Sequence, residues 1–131
     1  DEEIVERIGM PIRDYFEKHG EESFRKIEME VAECHGNGTG TIISCGGGVV
    51  TVEETMQILS ANGTVIWIDR DPSHLFSSAD RPLASDDRKV HDLYQKRLPL
   101  YEKYSDIRVR NDSQLNDCVN EIMRITGLRE K

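Results

Sequence analysis

The stretch TIISCGGGVVTVEET, residues 41–55, places three consecutive glycines between a short apolar run and a segment with helical spacing. Residues 41–45 are apolar enough for a strand buried on both faces, as in a parallel sheet. Ligands bind at the carboxyl ends of parallel strands, and glycine N–H groups can approach a ligand oxygen closely. A tight strand-to-helix turn without a ligand would use glycines too, so the triplet alone leaves both interpretations open.

The remainder of the chain alternates between helical and strand patterns. Residues 64–69 and 107–111, TVIWID and IRVRN, are the other two predicted strands. The predicted helices are two short ones within residues 2–19, one after Gly20, one over 51–62 with a capping box from Thr51 to Glu54, a short one over 71–75, one over 88–104 that Pro99 should kink or interrupt, and one over 115–125. Strands joined through helices predict an α/β fold with a parallel sheet, in one domain that spans residues 1–131.

Composition and charge exclude several classes of protein. With 37% hydrophobic and 32% charged residues and a formal net charge of -8, the chain has the composition of an acidic globular domain. No apolar run approaches the roughly 18 residues that a membrane span needs, so no membrane partner is expected. A negative field repels a polyanion, so nucleic acid is not an expected partner, and an anionic ligand must be met by clustered arginines. Three cysteines without CxxC spacing indicate neither a disulfide framework nor a zinc site, and they favour a reducing compartment, the cytoplasm or a plastid.

Three arginines stand in short motifs, Arg25 in GEESFRKIE, Arg81 in RPL and Arg97 in RLPLY. An isolated arginine is usually a solvated or ion-paired surface residue. These three, however, occur in order with an N-terminal DEEIVERIGMPI, the glycine triplet and the VIWI strand. Together, the ordered motifs resemble the shikimate kinase family along nearly the whole chain.

The resemblance implies a fold and an activity. The fold is a three-layer, P-loop kinase-like α/β fold with a parallel sheet. The activity is transfer of the γ-phosphoryl group of ATP, with Mg²⁺, to the 3-hydroxyl of shikimate in aromatic amino acid biosynthesis. Shikimate and ATP are therefore the expected partners. Two alternatives stay open: a non-catalytic binding or regulatory module derived from the kinase fold, and a sugar-acid kinase related to gluconate kinase.

The resemblance also assigns roles in a shikimate-binding region, about residues 1–50, and in a lid over about residues 77–88. Asp1 matches the carboxylate that binds shikimate hydroxyls and accepts the proton of the attacking 3-hydroxyl. Arg25 and Arg97 match the pair that holds the shikimate carboxylate, since a planar fork of donors fits two oxygens.

Further roles follow for the glycine turn and the lid. Gly47 and Gly48 match backbone donors to the substrate, and Gly46 lies toward the phosphate side. Glu28 matches the residue that orients the first arginine of the carboxylate-binding pair. Arg81 matches the lid arginine that contacts the nucleotide, closes over the transferring phosphoryl group and offsets charge in the transition state.

The sequence departs from the family pattern in its nucleotide-binding elements. The P-loop, G-x-x-x-x-G-K-[ST], is absent, and GNGTGT at residues 36–41 lacks the lysine and precedes a predicted strand. The resemblance begins at about the second carboxylate of the family's D-x-D signature. We therefore expect the main binding elements for ATP and Mg²⁺ upstream of Asp1, no metal ligands within the chain, a single partial kinase domain, and no activity of the chain alone.

The missing P-loop strand has a consequence for the sheet. In the family's strand order it lies between the GGG strand and the VIWI strand. Without it, two rows of backbone N–H and C=O groups face an apolar gap. We expect the chain to rearrange, to associate with another copy, or to be completed through this unfilled position by a separately supplied segment.

Overall fold

The computed structural model describes residues 1–71 and 87–128, without the side chain of Asp87. Its elements, in chain order, are α1 (Glu2–Ile8), α2 (Ile12–His35), a 3-10 helix (Gly47–Thr51), α3 (Glu53–Ala61), β1 (Ile66–Asp69), α4 (Asp87–Tyr104), β2 (Ile107–Arg110) and α5 (Leu115–Thr126). The predicted alternation of helices and strands is therefore confirmed from α3 onward.

Two strands form a parallel sheet, with Ile66 opposite Ile107 and Asp69 opposite Arg110. A parallel pair needs a crossover connection, and α4 lies in the chain between β1 and β2. On β1, Trp67 and Asp69 are buried while Ile68 is 54% exposed, as the alternation of side chains along a strand requires. The predicted α/β class with a parallel sheet is confirmed.

The hydrophobic core lies directly behind the glycine turn. Val49 and Val50, in the 3-10 helix, are buried together with Met56 of α3. The partly buried side chains packed against them come from α3, the start of β1 and the end of α4, and are Leu59, Val65, Leu100, Tyr101 and Tyr104. Since close packing on several sides leaves a core residue little freedom, this cluster fixes where the turn sits.

The N-terminal helices form a separate layer against α3. Gly20, with φ 82° and ψ 173°, breaks the helical conformation inside α2, so the predicted boundary after Gly20 is confirmed. Phe24, Glu28 and Ala32 form the buried face of the part that follows. Arg7 of α1 donates to Glu30 of α2 at 3.1 Å, which ties the two helices together.

The predicted strand over residues 41–45 is wrong. These residues form no regular secondary structure, and Ile42 and Ile43 are 83% and 42% exposed. A strand needs a neighbour for its backbone hydrogen bonds, and within residues 1–71 and 87–128 none lies beside this segment. The sheet consequently has two strands instead of the three predicted from the described part of the sequence.

Two local predictions are also corrected. Thr51 does not form the predicted capping box, because α3 begins at Glu53 after Val52 and the Thr51 hydroxyl donates to the Gly48 carbonyl at 2.7 Å. Helix α4 continues through Pro99, so of the predicted kink or interruption the interruption is wrong. The last residues of the predicted lid, 87 and 88, belong to the first turn of α4.

The predicted helix over residues 71–75, most of the lid over 77–88, and Arg81 lie outside the described residues. Among the helices that the structure describes, none combines the length and apolar character needed to cross a bilayer.

Candidate functional site at the glycine turn

Glycine is required at this turn because neighbouring side chains leave no room for a Cβ atom, and not because the backbone adopts an unusual conformation. Gly46 is extended, with φ -72° and ψ 158°, and none of Gly46, Gly47 and Gly48 has a positive φ. A Cβ on Gly48, however, would lie 2.6 Å from Cζ of Arg25 and closer still to Nη2. A Cβ on Gly47 would lie 3.0 Å from the Tyr101 hydroxyl. The turn lacks side chains because other side chains occupy that space.

Arg25 lies flat against Gly48 and is held there by carboxylates of its own helix. Its Nη1 donates to Glu28 Oε1 at 3.0 Å, and its Nε and Nη2 donate to Glu21 Oε1 at 3.4 and 3.3 Å. Its guanidinium also lies 5.3 Å from the centroid of the Phe24 ring. With its side chain 11% exposed, Arg25 is a fixed group rather than a solvated one.

Glu28 is the buried acid beneath this arginine. Burial raises the pKa of its carboxyl group above the ordinary value, and the charges of Arg25 and Arg97 and the hydrogen bond from Arg25 act in the opposite direction. The predicted contact between Glu28 and Arg25 is therefore present, and Arg97 lies close enough to act on the same carboxylate.

Arg97 approaches the turn from the other side. It lies on α4, and its Nη1 would be 3.5 Å from a Cβ on Gly47. In the described part of the chain, its guanidinium has no ion-pair partner within salt-bridge distance, in contrast to Arg25. The two predicted arginines thus converge on adjacent glycines, one already neutralised and one available to a ligand.

Asp1 completes the group from the start of α1. Its Oδ1 would lie 3.8 Å from a Cβ on Gly46, and it lines a cleft with Glu28 and Gly46. Its backbone carbonyl accepts the Val5 N–H at 2.9 Å, which anchors it to the helix. The structure therefore brings Asp1, the three glycines and both arginines to one turn, whereas Arg81 lies outside the described residues.

Tyr101 belongs to the site and was missed at the sequence level. Its hydroxyl donates to the Gly47 carbonyl at 2.8 Å. In the motif RLPLY it stands four residues after Arg97, and side chains at that spacing share one face of a helix. This spacing was the signal that could have identified it.

A second polar cluster lies at the carboxyl end of β1. Asp69, 1% exposed, accepts from Arg108 Nε at 2.9 Å, from Arg110 Nη1 at 3.2 Å and from the Tyr94 hydroxyl at 3.0 Å. Burial and the neighbouring carboxylate raise the pKa of Tyr94. Donors from three residues satisfy the Asp69 carboxylate, so this cluster is a structural ion network.

The residues of the site fit an organic acid better than a metal-bound nucleotide. Within residues 1–71 and 87–128, no three His, Cys, Asp or Glu side chains are grouped to hold a metal ion. The sequence has no G-x-x-x-x-G-K-[ST] segment to cradle phosphates. Two guanidinium groups beside backbone N–H groups that have no hydrogen-bond partner in the described structure are, by contrast, a common arrangement for a carboxylate.

Comparison with known proteins gives a consistent result. The family model described as Shikimate kinase matches residues 1–126. The curated shikimate kinases of Macrococcus caseolyticus and Aquifex aeolicus are 32% and 34% identical to the chain over 128 and 129 residues, 93% and 94% of this chain and 76% of each relative. The chain thus spans about three quarters of their length.

Solved structures agree with this result. The crystal structure of shikimate kinase from Aquifex aeolicus superposes with a TM-score of 0.80 at 31% identity, covering 97% of this chain and 78% of that one. The shikimate kinase of Acinetobacter baumannii in complex with shikimate has a TM-score of 0.86 at 24% identity, covering 100% of this chain and 78% of that one, which shows the shared fold. The resemblance and the P-loop kinase-like fold class inferred from the motifs are confirmed, and the chain belongs to the shikimate kinase family.

Proposed function

We propose that this chain supplies the shikimate-binding part of a kinase that transfers the γ-phosphoryl group of ATP to the 3-hydroxyl of shikimate. The observation that carries the proposal is the approach of two guanidinium groups, of Arg25 and Arg97, to the consecutive glycines Gly48 and Gly47. The family membership of the chain supplies the substrate class.

The charges at the turn suit a ligand with one carboxylate. Arg25 is paired with Glu28 at 3.0 Å, and the partly exposed Glu21 adds a second, weaker contact. Arg97 has no such partner among the described residues, so the pair of arginines leaves one cationic fork for an incoming anion. Because Glu28 already holds the Arg25 side chain in place, this side chain loses little further conformational entropy when a ligand binds.

Backbone donors complete the proposed binding site. Among the described residues, the N–H groups of Gly47 and Gly48 make no hydrogen bond. They are the first N–H groups of a 3-10 helix, on an exposed and a buried glycine respectively, and are proposed to bind a ligand oxygen. The Asp1 carboxylate faces Gly46, where it is proposed to bind a substrate hydroxyl and to accept its proton during attack.

In this proposal, the ATP-binding part of the active site is formed by residues other than those that the structure describes. The described residues contain neither a P-loop sequence nor a group of metal ligands, so these residues do not fit ATP with Mg²⁺. In the proposal Arg81 contacts the nucleotide, and the described residues bind and orient the acceptor.

Steric substitution of the glycines tests the shikimate site. Gly48→Ala should weaken shikimate binding at least about tenfold, equivalent to about 1.4 kcal/mol, because the methyl group would displace the Arg25 guanidinium. Gly38→Ala is the matched control, since Gly38 lies outside the turn and its Cβ would make only ordinary contact, at 3.4 Å from the His35 carbonyl oxygen. Isothermal titration calorimetry with shikimate measures both, and circular dichroism checks folding. Equal affinities of the two variants, or no binding of shikimate by the parent chain, would contradict the proposal.

The chain alone should not phosphorylate shikimate. Catalysis of phosphoryl transfer depends on positioning and electrostatic stabilisation of the phosphates, and the residues that would provide these are absent from the described site. A coupled assay with ATP, Mg²⁺ and saturating shikimate should show no turnover above background. Turnover at ordinary kinase rates would show that this chain does form a nucleotide site.

A second candidate is a non-catalytic module that binds a carboxylate ligand without ATP, through the same turn and the unpaired Arg97. The coding sequence upstream of residue 1 separates the two proposals. A kinase requires a strand, a G-x-x-x-x-G-K-[ST] segment and a helix there, whereas the module does not.

We further propose that another segment of polypeptide fills the open edge of the sheet, either a second copy or a complementing piece. Strand β1 pairs with β2, and along its other edge no strand lies within the described residues. Ile68 and Ile42, 54% and 83% exposed, are apolar side chains left to solvent. Unpaired edges with apolar residues are sites of association.

Size-exclusion chromatography with light scattering tests this association. The chain should elute above its 15.0 kDa monomer mass at micromolar concentration. Ile42→Lys should shift it toward the monomer, because a charge opposes burial. Leu115→Lys, at a 69% exposed residue of α5, is the matched control and should not. A stable monomer at all concentrations would contradict the second copy and leave a complementing piece as the segment that fills the edge.

A further inference from the structure

Two side-chain hydroxyls hold the carbonyl groups of the glycine turn. The Tyr101 hydroxyl donates to the Gly47 carbonyl at 2.8 Å, and the Thr51 hydroxyl donates to the Gly48 carbonyl at 2.7 Å. The first comes from α4 and the second from the end of the 3-10 helix itself.

A hydrogen bond to a carbonyl also fixes the direction of an N–H group. The peptide unit is planar and trans, so the Gly48 N–H points away from the Gly47 carbonyl that shares its plane. Anchoring the Gly47 oxygen to Tyr101 therefore aims the Gly48 N–H at the side of the turn opposite Tyr101. The next peptide is set in the same way by Thr51, and its Val49 N–H is taken by the Gly46 carbonyl at 3.3 Å.

We propose that Tyr101 is a positioning residue for substrate binding, whose hydroxyl holds the unpaired Gly48 N–H in the direction of the ligand, and that Thr51 supports it by fixing the next peptide of the turn. The inference rests on the proposed function, because it assumes that the Gly48 N–H binds a shikimate oxygen. It adds a residue that acts through the backbone to those that contact the ligand.

Tyr101 is itself rigidly placed, as a positioning group must be. Its ring stacks on Trp67, with centroids 5.7 Å apart and planes at 27°. The Arg108 guanidinium covers the Trp67 ring at 4.6 Å and is held by the buried carboxylate of Asp69. The Tyr101 hydroxyl thus projects toward the turn from a layered stack, and Arg97 projects from the same helical face.

The test compares hydroxyl deletions that leave each ring or branch in place. Tyr101→Phe keeps the stack on Trp67 and removes the donor to Gly47. Tyr104→Phe is the matched control, since Tyr104 packs against the same core and its hydroxyl donates to no acceptor in residues 1–71 and 87–128. Shikimate affinity by calorimetry should fall roughly threefold to tenfold in Tyr101→Phe, the factor that corresponds to one neutral hydrogen bond, and stay unchanged in Tyr104→Phe.

An NMR measurement distinguishes orientation of the peptide between Gly47 and Gly48 from a general effect on the stability of the fold. In ligand-free protein, the carbonyl ¹³C resonance of Gly47 should move in Tyr101→Phe and not in Tyr104→Phe, because a hydrogen bond deshields the carbonyl carbon. Both variants should keep the parent melting temperature within a few degrees.

Variants at Thr51 provide a second test, which does not depend on the folding of Tyr101→Phe. Thr51→Val should weaken shikimate binding and Thr51→Ser should restore it. Thr55→Val is the control, since the buried Thr55 hydroxyl has no hydrogen-bond partner in the described structure. A parent chain that binds shikimate equally well with and without these hydroxyls overturns the positioning role alone. A parent chain that binds no shikimate overturns the proposed function, and the positioning role with it.

Discussion

The close contact between the Arg25 guanidinium and the backbone of Gly48 is the constraint on which the site depends. It is possible only because Gly48 has no side chain and because Glu28, buried beneath, holds the guanidinium in one orientation. Burial alone would favour the neutral form of Glu28, and the cationic arginines oppose this by stabilising its charge. Packing and electrostatics are therefore coupled, since neither the acid nor the arginine would be stable there without the other.

The hydrophobic core and the proposed site lie on opposite sides of the same short segment. Val49 and Val50 fill the core on one side of the 3-10 helix, while the glycines just before them face the arginines. Tyr101 serves both sides, because its ring packs on the core and on Trp67 while its hydroxyl binds the turn. A site built this way needs little rearrangement on binding, which lowers the entropic cost of holding a small acid.

The sequence predicted most of the residues that meet at the glycine turn and part of the fold, for physical reasons that differ. Helices with clear periodicity and the strands at Ile66–Asp69 and Ile107–Arg110 follow from local patterns. The predicted strand over residues 41–45 is absent because a strand needs a neighbouring strand, and the local sequence pattern does not show whether one is present. Thr51 matched a capping motif, yet its hydroxyl bonded to a carbonyl of the tight 3-10 turn. Tyr101 escaped notice because its role lies in a contact with a backbone 54 residues away.

The most direct measurement of the central claim is the affinity of shikimate and of its methyl ester for the parent chain and for Arg97→Ala. We expect the parent chain to bind the acid at least about tenfold more tightly than the ester, because the ester lacks the charge that the unpaired Arg97 would bind. Arg97→Ala should abolish most of that difference. Equal binding of acid and ester by the parent chain would contradict the claim that the arginines at the glycine turn form a carboxylate site.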